Sequence, residues 1–304
     1  MPFKIKLKAL IGAMRLRTLP LSLATIITGT ALAILNYKAD LTIFIFSVLT
    51  TVFLQVLSNF ANDYGDGMKG TDNEKRLGPH RAVQSGIISL KEMKTAIIVT
   101  VFLSLVSGIS LLAITFKEQL LGFLFFLSLG ILSIWAAIRY TAGKNPYGYK
   151  AWGDFFVWLF FGIVGVLGVY FLHTKSVSAY ALLMANALGF LAVSVLNMNN
   201  IRDIENDEAC GKITLAVKLK FEGARIYQII LTFSAFILIT ITGIQTKGLI
   251  ESLPLIVVSA LPMLISFRVL WKQKTSKAYN NALKQISLST FAVSILFLAT
   301  VSWL

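Results

Sequence analysis

The sequence predicts an all-α, polytopic membrane protein of nine transmembrane helices, with its N-terminus in the cytoplasm. Three observations lead there. Hydrophobic residues make up 56% of the 304, and mean hydropathy is +0.76, whereas a soluble domain is roughly 45–50% apolar. Charged residues make up only 14%, against roughly 25% in a soluble domain. The apolar residues are concentrated in repeated runs of bilayer length, and backbone groups without water must satisfy one another, so such runs are helices.

The spans are expected near 19–36, 41–61, 95–115, 119–138, 152–172, 178–198, 226–244, 249–267 and 286–303. Most hold roughly 18–21 residues, which at 1.5 Å each cross a hydrocarbon core of about 30 Å. The connections justify them in turn. Ahead of the first span lie Lys4, Lys6, Lys8, Arg15 and Arg17, and between first and second only Lys38. The second opens into Lys69, Lys75, Arg76, Arg81, Lys91 and Lys94, and Lys117 alone separates third from fourth. Arg139, Lys144 and Lys150 lead to the fifth, and Lys175 to the sixth. Arg202, Lys212, Lys218, Lys220 and Arg225 lead to the seventh, and Lys247 to the eighth. Arg268, Lys272, Lys274, Lys277 and Lys284 precede the ninth. Thus 24 of the 28 basic residues fall on one side, which marks the cytoplasmic face. This bias explains the net charge of +14, which in a soluble protein would suggest nucleic acid. No nucleic-acid partner is expected, and no protein partner is inferable. One cysteine, Cys210, excludes an internal disulfide and a cysteine-based zinc site. No cleaved leader is expected at the N-terminus.

The chain reads as one membrane domain, 1–304, with two long connections, about 62–94 and 199–225, capping its cytoplasmic face. Long loops tend to carry function. Both follow even-numbered helices, four helices apart, which suggests a duplicated four-helix unit with a ninth helix appended. Each opens with an acidic motif. In "NFANDYGDGMKGTD", Asn59, Asn62, Asp63 and Asp66 share one stripe if the second helix continues. Gly65, Gly67 and Gly70 place its end near residue 67, with Asp72 returning from the loop. In "NMNNIRDIENDEACGK", Asn199, Asp203 and Asp207 form a second stripe, with Glu205 and Glu208 off it as solvated charges.

One such motif is equally well an ordinary polar helix end. Two at matching positions point to a site. Neighbouring carboxylates repel unless a cation relieves them, and hard oxygens without imidazole or thiolate select Mg²⁺, usually shared with substrate phosphates. Asp66, Asp203 and Asp207 are the expected catalytic centre of this set. Lys69, Arg76, Arg81, Tyr140, Lys144 and Lys212, with Arg15 and Arg17 before the first helix, would complete a diphosphate cradle. Each basic residue alone is explained by the loop bias. Together they suit a lipid diphosphate whose chain runs between the helices while its allylic C–O bond breaks.

At these residues the sequence resembles the UbiA superfamily of intramembrane prenyltransferases, nine-helix proteins with aspartate-rich motifs at the cytoplasmic ends of the second and sixth helices. Asn199, Asp203 and Asp207 match its N-x-x-x-D-x-x-x-D pattern, and Asn62, Asp63 and Asp66 match N-D-x-x-D. The family pattern then has Asp at position 70, where this chain has Gly70; the next carboxylate is Asp72. Tyr140 and Lys144 match a Y-x-x-x-K element that binds diphosphate in the family. "NDYGDGMKGTD", "RLGPHRAVQSG", "YTAGKNPYGYKAWGD" and "RTLP" resemble the menaquinone branch, with Arg17 where Lys is expected. That resemblance implies Mg²⁺ as cofactor, a polyprenyl diphosphate donor, a 1,4-dihydroxy-2-naphthoate acceptor that loses CO₂, and a bacterial inner-membrane location. An anionic aromatic acceptor suits Arg17 or Arg139.

Other features stay open. Asp154 either positions substrate or meets the helix macrodipole. Phe156, Trp158 or Phe160 either face a carbocation or pack. Gly162, Gly165 and Gly168 imply close helix packing. His80 and His173 are expected at the surface. Another aromatic acceptor such as 4-hydroxybenzoate fits the superfamily. An ion-coupled transporter fits less well, since its carboxylates belong near the midplane.

Overall fold

The structure is a computed structural model and describes residues 2–72, 77, 81–272 and 275–302. Among them, nine helices are long and apolar enough to cross a membrane. They are α1 (Leu19–Ile34), α2 (Leu41–Lys69), α3 (Leu90–Phe116), α4 (Leu120–Arg139), α5 (Gly153–Thr174), α6 (Ala179–Arg202), α7 (Leu215–Lys247), α8 (Leu249–Lys272) and α9 (Ser276–Ser302). The chain is a multi-pass membrane protein. A short helix, Phe3–Ala13, precedes α1 and packs on α2, where Ala13 joins the core of Leu57, Phe60 and Met93.

Side-chain size decides which helices are central. α6 buries Ala185, Ala187 and Gly189 along its length, and small residues let backbones approach closely. Gly162 of α5 meets it there: a Cβ on Gly162 would lie 2.5 Å from the Ala185 carbonyl oxygen. By contrast α4 buries only Ala136, and Leu121 is 85% exposed, as a lipid-facing helix requires. Buried polar bonds tie neighbours together. Thr28 of α1 donates to Ser294 of α9 at 2.9 Å, and Thr50 of α2 to Ser107 of α3 at 3.1 Å. Asn197, Gln228 and Ser266 chain α6 to α7 and α8 at 2.9 and 3.1 Å. In membranes such bonds contribute about 0.6–2 kcal/mol each.

Several expectations are revised. α2 continues past 61 to Lys69 and α7 starts at Leu215, so both caps are shorter than 62–94 and 199–225. α6 stops at Arg202, and Asp203 (φ −104°, ψ 11°) separates it from the short helix Ile204–Ala209. Asn199, Asp203 and Asp207 therefore do not share one unbroken helix. Residues Trp158–Gly168 of α5 wind as a π-helix. His173 is buried, not at the surface: its Nδ1 accepts from the Asp40 backbone N–H (3.1 Å) and its Nε2 meets Thr30 Oγ1 (3.2 Å). It clasps the α1–α2 connection to the end of α5. His80 lies outside the described residues.

Candidate active site

The two acidic motifs meet. α2 carries Asn62, Asp63 and Asp66 to the edge of the bundle. Gly70 ends the helix with φ 69°, a left-handed geometry that glycine adopts freely, and the chain turns so that Thr71 N–H returns to the Asp66 carbonyl at 3.2 Å. That turn brings buried Asp72 beside Asp66. Across the gap, Asn206 of the short helix donates from Nδ2 to the Thr71 carbonyl at 3.1 Å. The α4–α5 connection joins both: Lys150 forms a lone parallel bridge with Ile213, and Tyr149 donates from its hydroxyl to Asp66 Oδ1 at 2.8 Å.

Each acidic group has a basic neighbour. Arg81 Nη1 lies 2.9 Å from Asp66 Oδ2 and 3.0 Å from Asp72 Oδ2, and also donates to the Asn62 carbonyl at 3.0 Å. Burial works against its charge, but Asp66, Asp72 and Asp63 hold the Arg81 pKa above its ordinary value. Arg202 forks onto Asp203, Nε to Oδ1 at 2.9 Å and Nη2 to Oδ2 at 2.5 Å. It also donates to Asn199 Oδ1 at 2.9 Å and, from α9, to Asn280 Oδ1 at 2.6 Å. Lys212 Nζ stands 3.4 Å from Asp207 Oδ1. Lys69 and Lys212 flank the Tyr149 ring at 5.5 and 5.8 Å. Burial raises the Asp207 pKa to about 6; Lys212 opposes that shift, and Asp203 and Asp66 add to it. Asp63 is differently engaged, accepting the Ala82 and Val83 backbone N–H groups at 3.1 and 3.4 Å, so it holds the returning loop. Asn59 likewise ties the N-terminal segment, donating to the Met14 carbonyl at 2.8 Å.

This cluster rims a chamber of about 1220 Å³. Its mouth is lined by Arg15, Arg17, Asp63, Asp66, Arg81, Asn199, Arg202 and Lys212, and Tyr140 lies beneath them. Burial pushes the Tyr140 hydroxyl pKa well up, so it stays a neutral donor. Further in, the wall is apolar. Phe156 and Phe160 line it, stacked at 6.1 Å, with Tyr147 4.2 Å from Phe156. Trp158 instead turns to α6 and donates to Asn186 Oδ1 at 3.1 Å.

Other expected residues fall elsewhere. Lys144 is exposed and is not part of the chamber's described lining. Arg139 lies against Gly143, also outside that lining. Asp154 is buried at the start of α5, bonded by Tyr227. Arg76 lies outside the described residues. Glu205 and Glu208 are exposed as expected. The sequence reading passed over Tyr149 and Arg202. Tyr149 sits in the quoted "NPYGYKAWGD", and Arg202 directly precedes Asp203.

Among the described residues no group of three carboxylates, histidines or cysteines is close enough to hold a metal alone. Mg²⁺ does not need one, since it is commonly held by one or two carboxylates plus substrate phosphates and water. Asn62 Oδ1 and Asp207 Oδ2 are buried at the rim without a hydrogen-bond partner among the described residues. Two idle hard oxygens beside Asp66 and Asp203 fit such an ion.

A model of the UbiA prenyltransferase family matches residues 22–291. Over 295 residues the chain is 42% identical to 1,4-dihydroxy-2-naphthoate octaprenyltransferase of Haemophilus influenzae, covering 96% of this chain and 95% of that relative. It is 44% identical over 230 residues to the Escherichia coli protein of the same name, covering 76% and 74%. The apo structure of a UbiA homolog from Aeropyrum pernix K1 is similar with a TM-score of 0.64 at 19% identity, covering 93% and 96%. A UbiA homolog from Archaeoglobus fulgidus bound to GPP and Mg²⁺ is similar with a TM-score of 0.60 at 20% identity, covering 98% and 99%. At such identities the solved structures speak for the fold alone.

Proposed function

The chain belongs to the UbiA prenyltransferase family, and from that membership we propose that it transfers a polyprenyl group from polyprenyl diphosphate to 1,4-dihydroxy-2-naphthoate. Carbon dioxide and diphosphate are lost, giving demethylmenaquinol. The observation that carries the reading is the convergence of both acidic motifs and their basic partners on the mouth of one apolar chamber. The relatives at 42% and 44% identity support the naphthoate acceptor.

The prenyl tail lies in the chamber and the diphosphate stays at the rim. Arg81, Lys212 and Lys69 bind its oxygens, while Tyr140 and Tyr149 donate hydrogen bonds. Asp66, Asp203 and Asp207, with Asn62, Asn199 and the more deeply engaged Asp63 and Asp72, would hold Mg²⁺. Bound there, the ion neutralises the leaving diphosphate and stabilises charge as the allylic bond breaks. The C1–O electron pair departs with diphosphate. A ring carbon of the acceptor supplies a π pair to C1, and the pair from the carboxylate bond returns to the ring as CO₂ leaves. Phe156 and Phe160 keep water from the cation and face it with their rings. Arg17 at the mouth suits the acceptor carboxylate.

We place the rim on the cytoplasmic side of a bacterial inner membrane, because 24 of 28 basic residues lie on that side, and we read residues 1–304 as one domain. The test offers purified protein several aromatic acids with one polyprenyl diphosphate and Mg²⁺, then weighs the products. Prenylated naphthoate lacking its carboxylate is expected. A product that keeps the carboxylate, or prenylation of 4-hydroxybenzoate alone, overturns the reading.

A further inference from the structure

The chamber is deep. On α2 its wall runs from Asp66 to Ser47, nineteen residues, or ~28 Å at 1.5 Å per residue, close to the ~30 Å hydrocarbon thickness. Its far end is closed. Ser47, Leu112, Val169 and Leu172 line it and are themselves buried. Phe126 lines the same end, and Phe116 and Phe171 back it at ring distances of 5.3 and 5.6 Å.

Gly168 also lines this end. It is the last residue of the π-helical stretch, a form that is rare and frequent at functional sites. The three α5 glycines repeat every third residue but are not equivalent. A Cβ on Gly162 would strike the Ala185 carbonyl at 2.5 Å, and one on Gly165 would come within 2.9 Å of Thr25 Oγ1. Helix crossings demand those two. A Cβ on Gly168 would meet nothing nearer than 3.8 Å, at the Phe126 ring and the Ile163 carbonyl. Packing does not require glycine there, nor does a left-handed backbone, so what its missing side chain supplies is room at the closed end.

We propose that Gly168, facing Phe126 across the closed end of the chamber, sets the length of prenyl tail the protein accepts. The inference rests on the prenyl-transfer reading and adds a specificity-determining residue to it. A side chain at 168 fills the last part of the path. Short tails never reach it, while long tails must fold back or leave the chamber.

The experiment measures kcat/KM for geranyl, farnesyl, geranylgeranyl and octaprenyl diphosphates with dihydroxynaphthoate as acceptor, for the unsubstituted chain, Gly168→Ala and Gly168→Leu. Gly168→Leu should lower the octaprenyl-to-farnesyl ratio by about tenfold or more, the scale on which a pocket discriminates by a few methylenes, with farnesyl turnover kept. Gly168→Ala, which the 3.8 Å clearance accommodates, should fall between. A ratio that does not move in Gly168→Ala and Gly168→Leu overturns the inference while leaving prenyl transfer standing. A loss equal at every length overturns it too, because that would make Gly168 one more packing glycine. No transfer to the naphthoate by the unsubstituted chain at any length removes both readings.

Discussion

Asp66 shows how much of the site one residue's surroundings explain. Its two oxygens are held by Arg81 and Tyr149, so it can be aimed only if both partners are present. The carboxylates were legible in the sequence because a charge near an apolar run stands out and helical spacing is regular. Their partners were not. Tyr149 and Arg202 reach Asp66 and Asp203 through tertiary contacts that no spacing encodes, and Arg202 reads as one more loop cation. Replacing Asp66 or Asp203 with Asn keeps the shape and removes the charge. Each variant should remain in the membrane and lose roughly 10²-fold or more in turnover, the cost of removing a principal electrostatic stabiliser. Near-normal turnover in either would remove the proposed metal site. Asp207 carries the pH dependence. Its carboxyl is raised to about 6, so it is mostly ionised at pH 7.5 and half protonated near pH 6. Metal binding requires the ionised form. In calorimetry without substrate, Mg²⁺ affinity should weaken as pH falls through 6, approaching about tenfold per unit. A flat response from pH 5 to 7 would take Asp207 out of the ligand set.

Helix ends and helix type were the least legible features. Hydropathy finds where lipid is, and it located all nine spans among the described residues. It does not find where a helix stops. α2 carries its polar residues on for two further turns to Lys69 because the backbone bonds continue regardless of what the side chains face. The break at Asp203 and the π-helix in α5 were likewise hidden, since both depend on neighbours packed against them. The close crossing inferred from the α5 glycines does exist, at Gly162 and Gly165, but Gly168 belongs to the chamber. Gly162→Leu tests the division. The added side chain has the Ala185 carbonyl and Gly189 in its way, and overpacking of this kind costs about 1–3 kcal/mol. The variant should unfold at lower temperature in detergent and lose turnover equally with short and long prenyl diphosphates. An unchanged melting temperature would mean that α5 and α6 slide apart freely at that point.

At the scale of the whole molecule, the alternation of basic residues and the meeting of the acidic motifs are separate facts that agree. The motifs share one end of the bundle because Asn206 holds Thr71 and Tyr149 holds Asp66. That end also gathers 24 of the 28 basic residues, which argues for the cytoplasm. The protein contains its own reporter of this orientation. Cys210 is the sole cysteine, half-buried, three residues from Asp207 in the second motif. A membrane-impermeant maleimide should label it in inside-out vesicles and leave it unlabelled in intact cells with a sealed inner membrane and permeabilised outer layer. Tyr37, in the α1–α2 connection at the opposite end, is 84% exposed. In a Cys210→Ser background, Tyr37→Cys should show the reverse pattern, labelled in the cells and protected in the vesicles. The pairing matters because each protein then controls for leakage in the other. If Cys210 were labelled from outside and Tyr37→Cys from inside, the diphosphate rim would face away from the compartment that makes soluble aromatic acids and phosphorylated lipids. The basic residues would then owe their position to the substrate alone and not to the membrane.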